Sequence, residues 1–158
     1  MEQKPYAAFG YLLLEQSFQD GETYLAEVTS DPGAIHFWVE GRFRNFDKTR
    51  NAAMPDLVAG QLLLSSDYYA GLFEHTAVGN TRIMCVNRAL NRGFIPDVSK
   101  FELPGGSETV LPKGTKLFLC AGTLAVGGQN VSKPTQIRVT SDNSLVQAVT
   151  DCYGLVFP

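Results

Sequence analysis

Val110–Gly128, VLPKGTKLFLCAGTLAVGG, sets a Gly-Thr-Lys turn ahead of an apolar run that ends at a glycine pair. Such a stretch either cradles a phosphate or closes a β-sheet, and the choice separates a nucleotide enzyme from a β-rich binding module. A phosphate loop needs Gly-x-x-x-x-Gly-Lys-Ser/Thr between a strand and a helix, so that backbone N–H groups and a helix N-terminus converge on the anion. Pro112-Lys113-Gly114-Thr115-Lys116 reverses that order, has no glycine five residues before Gly114, and leads into the strand-like Leu117-Phe118-Leu119-Cys120. Proline fixes φ and glycine tolerates φ > 0, so Pro112 and Gly114 suit a β-turn. The stretch reads as a sheet corner.

The same punctuation runs outward over the chain. Its 15 glycines and 8 prolines divide short segments rich in β-branched and aromatic residues, the layout of a mainly β domain. Tyr6–Leu14, Glu22–Thr29 and Ala34–Phe46 read as strands of a meander, with Gln19-Asp20-Gly21 and Asp31-Pro32-Gly33 as turns. Within the third, Ile35, Phe37 and Val39 alternate with His36, Trp38 and Glu40, which places the two sets on opposite faces. Asp47–Asp56 reads as a loop or a single helical turn. Gln61–Tyr69 and Thr81–Arg88 are further strands, split by a segment with Gly71 and Gly79, and Phe94–Ser107 reads as a long Pro/Gly crossover loop. Strands at Lys116–Val126, Thr135–Thr140 and Leu145–Phe157 complete a single β-sandwich or barrel-like domain spanning residues 1–158. No segment carries a sustained 3.6-residue apolar period.

Composition narrows the function. A chain of 158 residues with 44% apolar and 18% charged residues buries enough surface to fold without staples. A net charge of −3 argues against nucleic acid as the partner. Cys85, Cys120 and Cys152 are odd in number and widely spaced, which fits neither a disulfide framework nor a zinc knuckle and points to a reducing compartment. The N-terminal apolar run is interrupted by Glu15, too short for a secretory signal, and no run reaches a membrane span. The expectation is a cytoplasmic or virion-borne protein with no membrane partner.

No catalytic set emerges. His36 and His75 form no His-x-His or His-Glu-x-x-His pattern, so a metal site needs distant segments to meet, and the plainer reading makes His36 a half-buried sheet residue and His75 a loop residue. The strand neighbours of Cys85 and Cys120 bury the sulfur and raise its pKa, whereas Cys152 near the chain end is expected to be the more accessible. A Gly-x-Ser-x-Gly elbow is absent. The residues point to no cofactor and to no enzyme.

A binding surface is nearer to hand. In HFWVEGRFRNF, Trp38, Arg42, Arg44 and Phe46 interleave aromatic rings with guanidinium groups, types enriched at interfaces and suited to anions. Arg42 and Arg44 share a face, provided Gly41 introduces no bulge. A second group, Tyr68, Tyr69 and Phe73, lies just before Glu74 and His75, and together with His75 makes a pocket with the first if both reach one rim. The alternative is a sheet with aromatics inward and arginines in water.

In the last third of the chain, a Gly-Thr turn, the Pro-led strand KPTQIRV, an Asp-Asn turn and the closing AVTDCYGLVF resemble the β modules of bacteriophage head-decoration and other virion accessory proteins. That resemblance implies a non-enzymatic assembly protein acting as a homo-oligomer, with self-association or a protein partner. The same stretch is also similar to a cupin barrel, although Val110–Phe157 lacks the histidines and glutamate with which cupins hold metal. The competing expectations are a β-barrel that sequesters a small ligand, an anion or a nucleotide, and a Cys/His- or metal-dependent enzyme.

Overall fold

The computed structural model describes residues 1–28, 33–64, 67 and 70–158. Among them the chain forms fifteen strands and no α-helix, so the mainly β class is as expected. The strands fall into two compact units, Met1–Ala7 with Leu12–Ile95 (unit 1) and Ala8–Tyr11 with Pro96–Pro158 (unit 2).

Unit 1 carries a seven-stranded sheet built on two long strands, β4 (Ala34–Asp47) and β7 (Gly71–Asn87), antiparallel from Ala34 opposite Asn87 to Asp47 opposite Phe73. β2 (Tyr11–Phe18) and β3 (Thr23–Val28) add to the two halves of β7, and β5 (Ala52–Val58) and β6 (Leu62–Leu64) to the two halves of β4. β1 (Glu2–Ala8) extends the edge beside β2. The pairing of β4 with β7 slips twice between Trp38 and Arg42, and Gly41 sits at the slip with φ of 72°. A Cβ on Gly41 would stand 2.3 Å from the carbonyl oxygen of Asn80, so only glycine lets the two backbones approach there. The bulge bends β4 so that residues on either side of it meet: Trp38 and Phe43 pack edge to face at 6.4 Å. Phe18, Leu57, Ala77 and Ile83 close this core.

Unit 2 faces two four-stranded antiparallel sheets, one of β13 (Thr135–Arg138), β10 (Lys116–Ala121), β15 (Cys152–Phe157) and β8 (Ser99–Leu103). The other has β12 (Gln129–Ser132), β11 (Thr123–Val126), β14 (Ser144–Ala148) and β9 (Glu108–Leu111). Leu117, Leu119, Leu103 and Cys152 from one sheet interdigitate with Leu124, Val146, Ala148 and Leu111 from the other. A large aliphatic side chain buried in this way contributes roughly 1.5–3 kcal/mol relative to exposure. Ala8–Tyr11 joins this unit: Phe9 N donates to Gln136 Oε1 at 3.1 Å, and the Tyr11 ring stacks on Phe157 at 5.4 Å.

The sheet corner stands where the opening stretch put it. Thr115 N donates to Pro112 O, the turn joins β9 to β10, and no helix follows. Several other expectations need correction. Tyr6–Leu14 is not one strand but a hairpin, because Phe9 and Gly10 both take positive φ (52° and 84°), as a two-residue turn between twisted strands requires. Asp47–Asp56 opens into β5 after a turn in which Asp47 accepts from Arg50 N, so no helical turn forms. Gly79 does not break the middle of the chain but lies inside β7. The crossover loop Phe94–Ser107 contains β8, whose following corner is pinned by Gly105 N donating to Asp151 Oδ1. Lys116–Val126 divides at Gly122 because a Cβ there would stand 2.2 Å from Asp151 O, and the chain changes sheets at that point. Leu145–Phe157 divides likewise into β14 and β15. Part of the expected turn at residues 31–33 lies outside the described residues.

Candidate functional site

The strand alternation that sets Ile35, Phe37 and Val39 against His36 and Trp38 is present in β4, but both faces are covered: Phe37 and Val39 are as buried as Trp38. The His36 and Trp38 face fronts a cavity of about 50 Å³ inside unit 1. β7 supplies Phe73, His75 and Ile83 to its wall. β3 supplies Tyr24, Ala26 and Val28, and β2 supplies Gln16. Register explains the assembly, because Tyr24 lies opposite His75, Ala26 opposite Phe73, Trp38 opposite Ile83 and Gln16 opposite Ile83. Directly opposed residues in an antiparallel pair point to the same side of the sheet. By the rule that a water needs roughly 10–15 Å³ of such space, the cavity holds about four waters or a compact group of similar size.

His75 is buried, its ring stacked on Phe43 at 5.4 Å and tilted against Tyr24 at 6.0 Å. Its Nε2 has no hydrogen-bond partner among the described residues, nor has Nε1 of Trp38. Oδ1 of Asn45, opposite His75 in the β4–β7 pair, is also without one. Burial lowers His36 to a pKa of about 4. It lowers His75 to about 4 as well, with the neighbouring His36 adding to the shift. Both imidazoles are therefore neutral at pH 7. Burial, then the Cys85 thiol, raises the pKa of Tyr24.

Of the residues singled out by sequence as a binding surface, the structure brings Trp38, Phe73 and His75 to this cavity. Arg42 and Arg44 do not reach it. They lie exposed on the other face of β4 from the buried Phe43, sharing that face despite the bulge at Gly41. Arg42 stands 3.6 Å from Asp56, a solvent-exposed pair of small energetic weight. Phe46 is half-buried next to the buried Asp47. Tyr68 and Tyr69 lie outside the described residues. His75 is a strand residue and not the loop residue expected.

Two alternatives meet physical obstacles. A metal ion needs several convergent ligands, and among the described residues no group of three His, Cys, Asp or Glu side chains exists. Two histidines between aromatic and aliphatic walls do not fit a metal centre of the cupin kind. The cysteines are all buried, and burial pushes the Cys85 thiol up to about 11, away from a reactive thiolate. Cys152 is not the accessible one: its Sγ sits 3.2 Å from the carbonyl oxygens of Thr123 and Thr150, and burial is the largest cause raising its pKa.

No protein-family model matches the chain, and no curated protein matches it in sequence. Solved structures do resemble it. HutD from Pseudomonas fluorescens superposes with a TM-score of 0.54 at 11% identity, covering 97% of this chain and 84% of that one. A conserved protein of unknown function from Pseudomonas aeruginosa gives 0.51 at 14% identity, covering 98% and 85%. A cupin 2 conserved barrel domain protein from Leptotrichia buccalis gives 0.47 at 12% identity, covering 98% and 86%. The likeness to HutD and to the Pseudomonas aeruginosa protein runs over nearly the whole chain.

At such identities it is a likeness of fold. It overturns the resemblance to phage head-decoration modules, and with it the reading of the chain as a viral assembly subunit. The Gly-Thr and Asp-Asn turns that carried that resemblance are punctuation that any antiparallel sandwich needs where strands reverse.

Proposed function

We propose that the protein binds a small molecule, or a compact group projecting from a larger one, in the cavity of unit 1. The observation that carries this is that two residues of the cavity lining, Trp38 and His75, each hold a buried polar atom, Nε1 and Nε2, with no hydrogen-bond partner among the described residues. Leaving a buried donor or acceptor unpaired costs roughly 1–3 kcal/mol, a cost that a ligand or ordered water offsets. An apolar cavity with a few convergent polar groups is the common form of a small-molecule site. Binding without catalysis is favoured because both histidines are neutral and the Cys85 thiol, opposite His36 in the β4–β7 pair, is buried with its pKa pushed up to about 11.

The test is extraction. The protein purified under native conditions and then denatured should release a small molecule, detected by mass spectrometry in near-stoichiometric amount. Ala26→Leu, which fills the cavity from β3, should abolish the release while the folded circular dichroism spectrum persists. An extract with no such molecule, or one unchanged by the substitution, would contradict the proposal.

A further inference from the structure

We infer that the unit 1 cavity selects an uncharged, compact group bearing a hydrogen-bond acceptor, of the carboxamide or ketone class, and discriminates against the matching carboxylate. The inference rests on the cavity being the binding site proposed above and names what it takes.

Three features of the wall lead there. An indole carries one polar atom and it only donates, so whatever satisfies Trp38 Nε1 is an acceptor. His75 Nε2 belongs to a neutral imidazole and takes either role, so a group with an acceptor and a donor, such as a primary carboxamide, addresses both atoms. Trp38 and His75 both line the cavity and both pack on Phe43, with ring centroids at 6.4 and 5.4 Å, which puts the two rings in one neighbourhood.

Charge is the second feature. No lysine or arginine lines the cavity. Residues 29–32, 65, 66, 68 and 69, outside the described set, contain no lysine, arginine or histidine in sequence either. Arg82, next in sequence to Ile83, is engaged by Glu15 and Glu40. A carboxylate entering this wall would lose hydration that no cation returns, whereas an amide or ketone would exchange its water for the indole N–H.

The third is size. About 50 Å³ accepts a group of roughly four non-hydrogen atoms, the size of acetamide or acetate, two molecules nearly identical in shape and different in charge. Fragments this small bind at best in the roughly micromolar to millimolar range, within reach of titration.

Trp38 is the only tryptophan, so the ¹⁵N-labelled full chain has one indole N–H cross-peak, and it belongs to the site. Titration near neutral pH with acetamide should move that peak saturably. Acetate should require at least roughly tenfold higher concentration for the same shift. His75→Phe, checked for a dispersed amide spectrum, should weaken acetamide binding while leaving the protein folded. Acetate binding as well as or better than acetamide would overturn the uncharged class and leave the cavity a binding site. Saturation by acetamide without movement of the Trp38 peak, or with no weakening in folded His75→Phe, would also overturn the inference. Failure of both probes overturns the class; failure of both together with an empty native extract overturns the cavity reading as well.

Discussion

The two units build their interiors from different chemistry on the same antiparallel plan. Unit 2 closes its sandwich with Leu117, Leu119, Leu124, Leu103, Leu111, Val139 and Val146, side chains without a polar atom. Unit 1 places Trp38, His36, His75, Tyr24 and Gln16 around a cavity, and the buried Trp38 Nε1 and His75 Nε2 go unpaired among the described residues. Interdigitated aliphatic layers bring no polar atom that needs a partner, whereas the rings and amide that cross-strand register gathers in unit 1 bring polar groups to a cavity. The difference separates a scaffold from a site within one chain of β-strands.

The contrast breaks most visibly under core truncation. Leu119→Ala in unit 2 should destabilise by about 2–5 kcal/mol in denaturant melts, because a fully buried side chain leaves a hole in a dry layer. A loss below about 1 kcal/mol would mean that this core is not tightly packed.

Acid should act through unit 1. The folded pKa of His75 is about 4 against 6.5 ordinarily, so the unfolded state binds the proton first as pH falls. Stability should therefore be fully present above about pH 6.5, decline through the window down to about pH 4, and change no further from this group below it; 2.5 units correspond to about 3 kcal/mol at most. His75→Phe should flatten that part of the profile, measured as urea midpoints across pH. An unchanged slope in the variant would remove His75 as its source.

Smaller still is the effect of removing an unpaired donor. Trp38→Phe should leave ligand-free protein unchanged or up to about 1 kcal/mol more stable after allowance for lost ring area, while reducing ligand retention. A loss of several kcal/mol in thermal melts would show instead that Nε1 has a structural partner. Least of all, replacing the exposed Arg42 and Arg44 by alanine should shift stability by less than about 0.5 kcal/mol and leave the cavity ligand in place. Ligand loss in that double variant would tie the outer arginines to the site.

Much of this architecture is legible in the sequence. Glycine and proline spacing shows the mainly β class, Pro112-Lys113-Gly114 shows the corner, and alternation in β4 puts His36 and Trp38 on one face. Alternation in Gly71–Asn87 also puts Phe73, His75 and Ala77 on one face, and TYLAEV does so for Tyr24, Ala26 and Val28. That period-two signal could have found the remaining walls. It does not say that β2, β3 and β7 share a register with β4, because such pairing is fixed by contacts distant in sequence. In sequence Ala34–Phe46 and Lys116–Val126 read straight through Gly41 and Gly122 and the chain breaks at Gly79, yet in the fold Gly41 bends a strand, Gly122 ends one and Gly79 lies within one. What distinguishes Gly41 and Gly122 is a backbone carbonyl from another strand or corner, Asn80 or Asp151, which only the fold brings near.

The most direct test of the division between site and scaffold is a methyl NMR spectrum of the full chain labelled at Ile, Leu and Val, recorded with and without acetamide. Ile83 and Val28 line the cavity, and Leu117, Leu119 and Val146 fill the closed core of unit 2. The account predicts saturable shifts at Ile83 and Val28 and none at the three core residues. Shifts at Leu117, Leu119 and Val146 with Ile83 and Val28 unmoved would contradict it.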